Sequence, residues 1–252
     1  MTGAIGPVRF WKTPMVIIPY TVDVPMNRWP IANWALIGMT TLMSFALLLS
    51  PNPEEVLDLA LVRDSFSPLQ LVTYLGVHGG LLHLIGNMIF LFCFGNAINA
   101  KLGHWQFLLI YFVLGAVAGG AWMLFGDGPA LIGASGAIMG ITGVFLVLYP
   151  RNDVSVFYWI MYRTGTFTLS SGWLIFLYMA LDVWGTIFGS DGVVAYVCHL
   201  GGWLVGGGTA VLLLATRMVK SSVDEENLLQ VFGLQKRVKR HQHLDSYGRR
   251  IG

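Results

Sequence analysis

Long apolar runs dominate the chain, broken at intervals by short clusters of Gly, Pro and charged residues. Six runs are apolar and nearly uncharged, at about 31–50, 79–100, 105–125, 136–149, 171–188 and 194–216, and each predicts a helix in a membrane. The fourth is short. It closes at Tyr149-Pro150-Arg151, where the proline cannot continue a helix. The pattern therefore predicts an all-α membrane protein, a six-transmembrane-helix bundle with a short helix 4. The stretch Asp153–Ser170 is β-prone and partly apolar and predicts an interfacial loop. No internal repeat is visible. The chain divides into a cytoplasmic N-terminal segment at 1–30, a six-helix core at 31–216 and a basic cytoplasmic tail at 217–252. Within the tail, Asp224–Val238 reads as a short amphipathic helix.

Composition agrees with this division. The chain is 55% hydrophobic and 11% charged, whereas a soluble domain carries about 25% charged residues. Cys93 and Cys198 both lie in apolar runs, which argues against a disulfide framework. The Met15–Pro19 apolar stretch is too short for a signal-peptide core, and no transit-peptide pattern is expected.

Basic residues orient the spans. Arg9, Lys12 and Arg28 precede span 1, Lys101 follows span 2, Arg151 and Arg163 follow span 4, and the tail holds Lys236-Arg237-Val238-Lys239-Arg240. The opposite side carries Arg63 against Glu54, Glu55, Asp58, Asp64, Asp127 and Asp191. Both termini are thus predicted to be cytoplasmic. The basic tail reads as a topology anchor, and nucleic acid is not an expected partner.

Spans 2, 4 and 6 then run in the same direction and bring unusual polar residues to one depth: His78, His83 and Asn87, then Ser135, then His199. From Ser135 to the inner end of span 4 is about 21 Å at 1.5 Å per residue, against a hydrocarbon core of about 30 Å. Ser135 is therefore expected several ångströms below the outer surface, beneath the Gly126–Gly133 loop. Gly136, Gly140 and Gly143 form one small-residue stripe, and Gly202 and Gly206 form another on the face that carries His199. Such stripes pack membrane helices backbone to backbone. If these two face each other, Ser135 Oγ and His199 come within hydrogen-bond reach, as nucleophile and base. Packing alone is the plainer role open to the glycines.

His83 and Asn87 share a helix face, and both can donate hydrogen bonds. Ser135 opens a helix, where free N–H groups favour negative charge. Together they suggest an oxyanion hole. Helix–helix hydrogen bonding is the plainer role open to the His/Asn pair. Asp182 is the one carboxylate inside a span, and it is expected to pair with a nearby donor, with a proton relay as the rival role. A single acid argues against an aspartyl protease. His78 and His83 do not share a face and no HExxH is present, so no metal is expected. A transporter predicts repeat symmetry or a pathway of ionisable residues, and neither is evident.

In these residues the chain resembles the rhomboid family of intramembrane serine proteases. The resemblance rests on His78-Gly79-Gly80-Leu81-Leu82-His83, Asn87, Phe94-Gly95, Gly133-Ala134-Ser135-Gly136, and His199 with Gly202 and Gly206, over about residues 68–216. It implies a rhomboid-like bundle whose short central helix 4 carries the nucleophile, and a catalytic Ser135–His199 dyad without a third acid. It further implies that Gly133 belongs to the active-site loop, and that His83, Asn87 and the Ser135 N–H stabilise the oxyanion. The implied substrate is a transmembrane segment of another membrane protein. It would be cleaved near the outer face through an acyl-enzyme, in a lipid bilayer and without a cofactor. Span 5, with Trp173, Phe176, Tyr178 and Trp184, would flank span 2 as a lateral gate, although lipid-facing aromatics explain this composition more simply. The compact core suggests a bacterial cytoplasmic membrane. Met139 stands where family members often carry an aromatic that stacks on the histidine, and Asn99 stands where a glutamate is common. The alternative is a non-catalytic rhomboid-like protein that escorts membrane helices. Such relatives usually lack the serine or the histidine, and this chain keeps both.

Overall fold

The structure, a computed structural model, describes residues 15–52, 54–188, 196–222 and 225–237. Among these, four helices are long and apolar enough to cross a membrane. They are α1 (Ile31–Leu49), the continuous segment formed by α4 (Leu81–Phe90) and α5 (Asn96–Leu102), α6 (His104–Phe125) and α9 (Tyr196–Ala215). Two shorter apolar helices join them, α7 (Ser135–Leu148) and α8 (Ser171–Phe188). Between α1 and α4 lie α2 (Glu54–Leu59) and α3 (Gln70–Thr73), and α10 (Leu228–Val231) follows α9.

The bundle is organised around α7. Nearly all its residues are buried, which accounts for a sequence that is apolar on every face. Inside a bilayer, apolar residues gain little by leaving lipid, so such a helix is held by close packing. A methyl group on Gly202 would collide with Gly136 O, and one on Gly206 with Gly140 O. A methyl group on Gly143 would come within 2.6 Å of Trp203 O. The two glycine stripes therefore face each other across α7 and α9, with backbone on backbone. Gly115 and Gly119 of α6 serve similarly against Leu75, Leu61 and Tyr74.

Segment α4–α5 is continuous but widened. Leu91–Gly95 forms a π turn, a local under-winding that needs outside support. Asn33, buried in α1, supplies it: its Nδ2 donates to Leu91 O (2.9 Å) and to Asn96 Oδ1 (2.8 Å), while its N–H reaches Asn99 Oδ1 (3.1 Å). Gly103, at φ +85°, then turns the chain into α6.

The expectation of an all-α chain needs correction. Strands β1 (Met15–Val22), β4 (Asp153–Ile160) and β5 (Arg163–Ser170) form an antiparallel sheet in the order β1-β4-β5. Met15 pairs with Ile160 and Asp153 with Ser170. Val154 and Val156 point into the core on alternate positions, and Met161-Tyr162 closes the hairpin with Met161 at φ 56°. What reads as an interfacial loop is thus a hairpin, and part of the N-terminal segment at 1–30 is its third strand. A second pairing joins β2 (Leu61–Val62) to β3 (Ala130–Leu131).

The tail is docked as well. Glu225 pairs with Lys101, accepts from Tyr149 Oη (3.3 Å) and accepts from Ser222 N (2.7 Å). The expected Asp224–Val238 helix is shorter than predicted. It runs over Leu228–Val231, capped by Asn227 and Gln230, and its two expected end residues lie outside the described residues. Most of the basic cluster, Val238 to Arg240, also lies outside them.

The α7–α9 contact yields a paired prediction. Gly206→Ala should lower stability in detergent by about 1–3 kcal/mol, the usual cost of overpacking. Gly208→Ala, which meets nothing within 4 Å, should change it by less than about 0.5 kcal/mol. Thermal unfolding of the two purified variants measures the difference.

Candidate active site

The site is assembled from the N-terminal ends of α4, α7 and α9, and from α8. Ser135 is the first residue of α7, so the N–H groups of its opening turn have no helical acceptor. The loop leading to it is held from two sides. Leu61 pairs with Leu131, and Gly133 N donates to Tyr74 O (2.9 Å). Tyr74 is itself pinned, since its buried hydroxyl donates to Gly115 O (2.8 Å). Arg63, just after β2, fastens this region to the end of α6. Its guanidinium donates to Trp122 O (2.9 Å), Met123 O (3.2 Å) and Gly126 O (2.8 Å), and lies 4.7 Å over the Trp122 ring. Met123 O is among the carbonyls that a helix C-terminus leaves unpaired, while Trp122 O also accepts from Gly126 N (2.8 Å).

Gly133 adopts φ +110°, a conformation that any side chain would strain. A Cβ at Gly133 would also lie 2.8 Å from His83 Cε1 and 3.8 Å from Asn87 Nδ2. The three residues expected to support an oxyanion therefore meet within one small volume next to Ser135. Asn87 Nδ2 is buried and has no hydrogen-bond partner among the described residues. Leaving a buried donor unmade costs about 1–3 kcal/mol, so this amide is a donor waiting for an acceptor.

His199, in the first turn of α9, places Nε2 2.8 Å from Ser135 Oγ. Its other nitrogen, Nδ1, is 3.0 Å from Asp182 Oδ1 on α8. Trp203, one turn along α9, donates from Nε1 to Asp182 Oδ2 (3.3 Å). The expected dyad without a third acid is thus not the whole arrangement, because a carboxylate stands behind the imidazole. Asp182 found its donors on α9, a contact that sequence spacing does not reveal. Cys198, beside His199, is buried with its Sγ against Gly136. On α8, Trp173, Phe176 and Trp184 are exposed, while Tyr178 meets Phe90 of α4 with ring centroids 5.0 Å apart.

His78 sits outside the helices, edge-on to His83 at 5.0 Å. Ser44 Oγ donates to Gly76 O (2.8 Å), so His78 Nδ1, 2.8 Å away, donates to Ser44 Oγ. His78 Nε2 is buried without a hydrogen-bond partner among the described residues. Burial, reinforced by the neighbouring His83, pushes the His78 imidazole down to about 4. Among the described residues, no group of three or more His, Cys, Asp or Glu side chains is arranged to hold a metal ion.

Comparison with known proteins assigns this architecture to a family. Residues 65–216 match the Rhomboid domain, and the chain belongs to the rhomboid family. It is similar to the Rhomboid protease GluP of Bacillus subtilis, with 32% identity over 133 residues, covering 50% of this chain and 26% of that protein. Similarity to RHOMBOID-like protein 6, mitochondrial, of Arabidopsis thaliana is 25% over 218 residues, covering 78% of this chain and 66% of that protein. Rhomboid-type serine protease 2 of Emericella nidulans is 28% identical over 121 residues, 46% of this chain and 23% of that protein. The matched segment thus spans about a quarter of the length of two of these relatives. With four apolar spanning helices in this family, the chain is an integral membrane protein.

The His78 environment predicts a pH effect. A histidine held near 4 when folded but near 6.5 when unfolded leaves the unfolded chain binding more protons between those values. Stability should therefore fall as pH drops from about 6.5 to about 4, and level off below. Thermal unfolding across that range should show a shallower fall for His78→Gln than for wild type.

Proposed function

We propose that this chain is an intramembrane serine endopeptidase that cleaves transmembrane segments of other membrane proteins near the outer face of the membrane. The observation that carries the reading is the 2.8 Å contact between Ser135 Oγ and His199 Nε2 at the part-buried end of a short helix. His199 takes the Ser135 proton while Oγ attacks the scissile carbonyl. The imidazolium then protonates the leaving amine, and water releases the acyl-enzyme by the reverse proton path. The oxyanion is held by Asn87 Nδ2, the His83 imidazole and the Ser135 N–H. The unpartnered state of Asn87 Nδ2 supports this role.

Counting α7 and α8 with the four longer helices gives six spans, with residues 31–216 as the catalytic core. The meeting of the N-terminal ends of α4, α7 and α9 supports a common direction for those three, and hence both termini on one side. That side is the cytoplasmic one by its excess of Lys and Arg. Arg63, the one basic residue on the other side, is occupied in capping α6. A bacterial cytoplasmic membrane suits this compact core. At about 21 Å, α7 spans only part of a hydrocarbon core of about 30 Å. The reading requires hydrolytic water to reach Ser135 through protein-lined space.

Labelling of the detergent-purified chain with a fluorophosphonate tests this reading. Wild type should be labelled, and Ser135→Ala and His199→Ala should not. Asn87→Ala should slow labelling by about 10²–10³-fold, the cost of one oxyanion donor. Equal labelling of wild type and Ser135→Ala would contradict the reading. Absence of labelling from folded wild type would favour a helix-escorting role instead.

A further inference from the structure

We infer that Asp182 is a positioning residue for His199, so that this chain works with a Ser135–His199–Asp182 relay in which α8 supplies the carboxylate. The inference rests on the proposed protease reading and deepens it.

The donor and acceptor inventory fixes the arrangement. Trp203 Nε1–H can only donate, so Asp182 Oδ2 accepts from it. An ionised carboxylate has only acceptors, so Oδ1 accepts from His199 Nδ1–H at 3.0 Å. The imidazole proton is thereby held on Nδ1, and the lone pair of Nε2 is left facing Ser135 Oγ at 2.8 Å. This is the tautomer a general base requires. Asp182 is buried, and its side chain and that of His199 are each about one-eighth exposed (12%), so water competes little for the bond. His199 and Trp203 are one helical turn apart and reach the same carboxylate. The two contacts fix Asp182 against α9 in a single orientation. Met139, the residue one turn beyond Ser135, carries a thioether that is at most a weak acceptor and cannot perform this task.

The consequence for the chemistry is a proton count that closes without moving the Asp182 proton balance. As Oγ bonds to the carbonyl carbon, its proton passes to Nε2 and the ring becomes cationic. Asp182 stays ionised and stabilises that cation. The proton then leaves on the amine as the C–N bond breaks, and the ring returns to the same tautomer. α8 also touches α4 through Tyr178 and Phe90. A movement of α8 would therefore displace the carboxylate, so the catalytic base is complete only when α8 is docked on α9.

Among the described residues, the charged and titratable groups facing His199 are few. Asp182 comes from α8, and His83 from α4 lies within electrostatic reach. α6, α7 and α9 carry no Asp, Glu, Lys or Arg.

The test is the rate of fluorophosphonate labelling of the full chain from pH 5 to 9, with unfolding curves as fold controls. The comparison covers wild type, Asp182→Asn, Asp182→Glu and Trp203→Phe, with Ser135→Ala and His199→Ala as blanks. Asp182→Asn should slow labelling by about 10²–10⁴-fold. Asp182→Glu should restore part of the rate, and Trp203→Phe, which removes one of the two contacts that hold Asp182, should slow labelling by less than Asp182→Asn does. Labelling of Asp182→Asn at the wild-type rate, or labelling of Asp182→Glu no faster than that of Asp182→Asn, would overturn the inference while leaving the Ser135–His199 reading intact. Labelling of Ser135→Ala would overturn both.

Discussion

The close approach of the α7 and α9 backbones is the constraint on which the rest of the structure depends. Gly136 and Gly140 meet Gly202 and Gly206 with no room for a methyl group between them. In lipid there is little hydrophobic gain from joining two apolar helices, so dispersion between closely fitted backbones must supply the adhesion. The same contact sets the relative depth of the two helices. With the stripes aligned, Ser135 at the start of α7 and His199 near the start of α9 fall opposite each other at 2.8 Å. The site is therefore a geometric by-product of helix packing.

Around that axis, polar groups are used sparingly, each with a specific partner. Asn33 supports the π turn of the second span from a neighbouring helix. Arg63 closes the exposed end of α6. Tyr74 links α6 to the loop that carries Gly133. Among the described residues the buried exceptions are Asn33 Oδ1, His78 Nε2, Tyr111 Oη and Asn87 Nδ2, and Asn87 Nδ2 is the one that lies next to Gly133. An unmade hydrogen bond is costly in such an environment, and in the proposed mechanism its position beside Ser135 gives the cost a chemical use.

Much of this was legible in the sequence because membrane helices advertise themselves by apolar length, and small-residue stripes by their spacing. Ser135, His199, His83, Asn87 and Gly133 could be picked out because polar or special residues are rare in such runs. The sheet was less visible. Asp153–Ser170 alternates Thr and Ser with apolar residues, and its pairing with Met15–Val22 joins segments far apart in the chain. Asp182 was visible as an isolated carboxylate, but its partners depend on how α8 rests on α9. The docking of Glu225 on Lys101 and Tyr149 likewise joins distant segments and leaves no local trace in the sequence.

The most direct test of the central claim, that helix packing delivers an activated serine, is to map the site of covalent modification. Wild-type protein would be reacted with a fluorophosphonate, digested, and its peptides analysed by mass spectrometry. The account predicts a single phosphonylated residue, Ser135. An adduct confined to any other residue would contradict it.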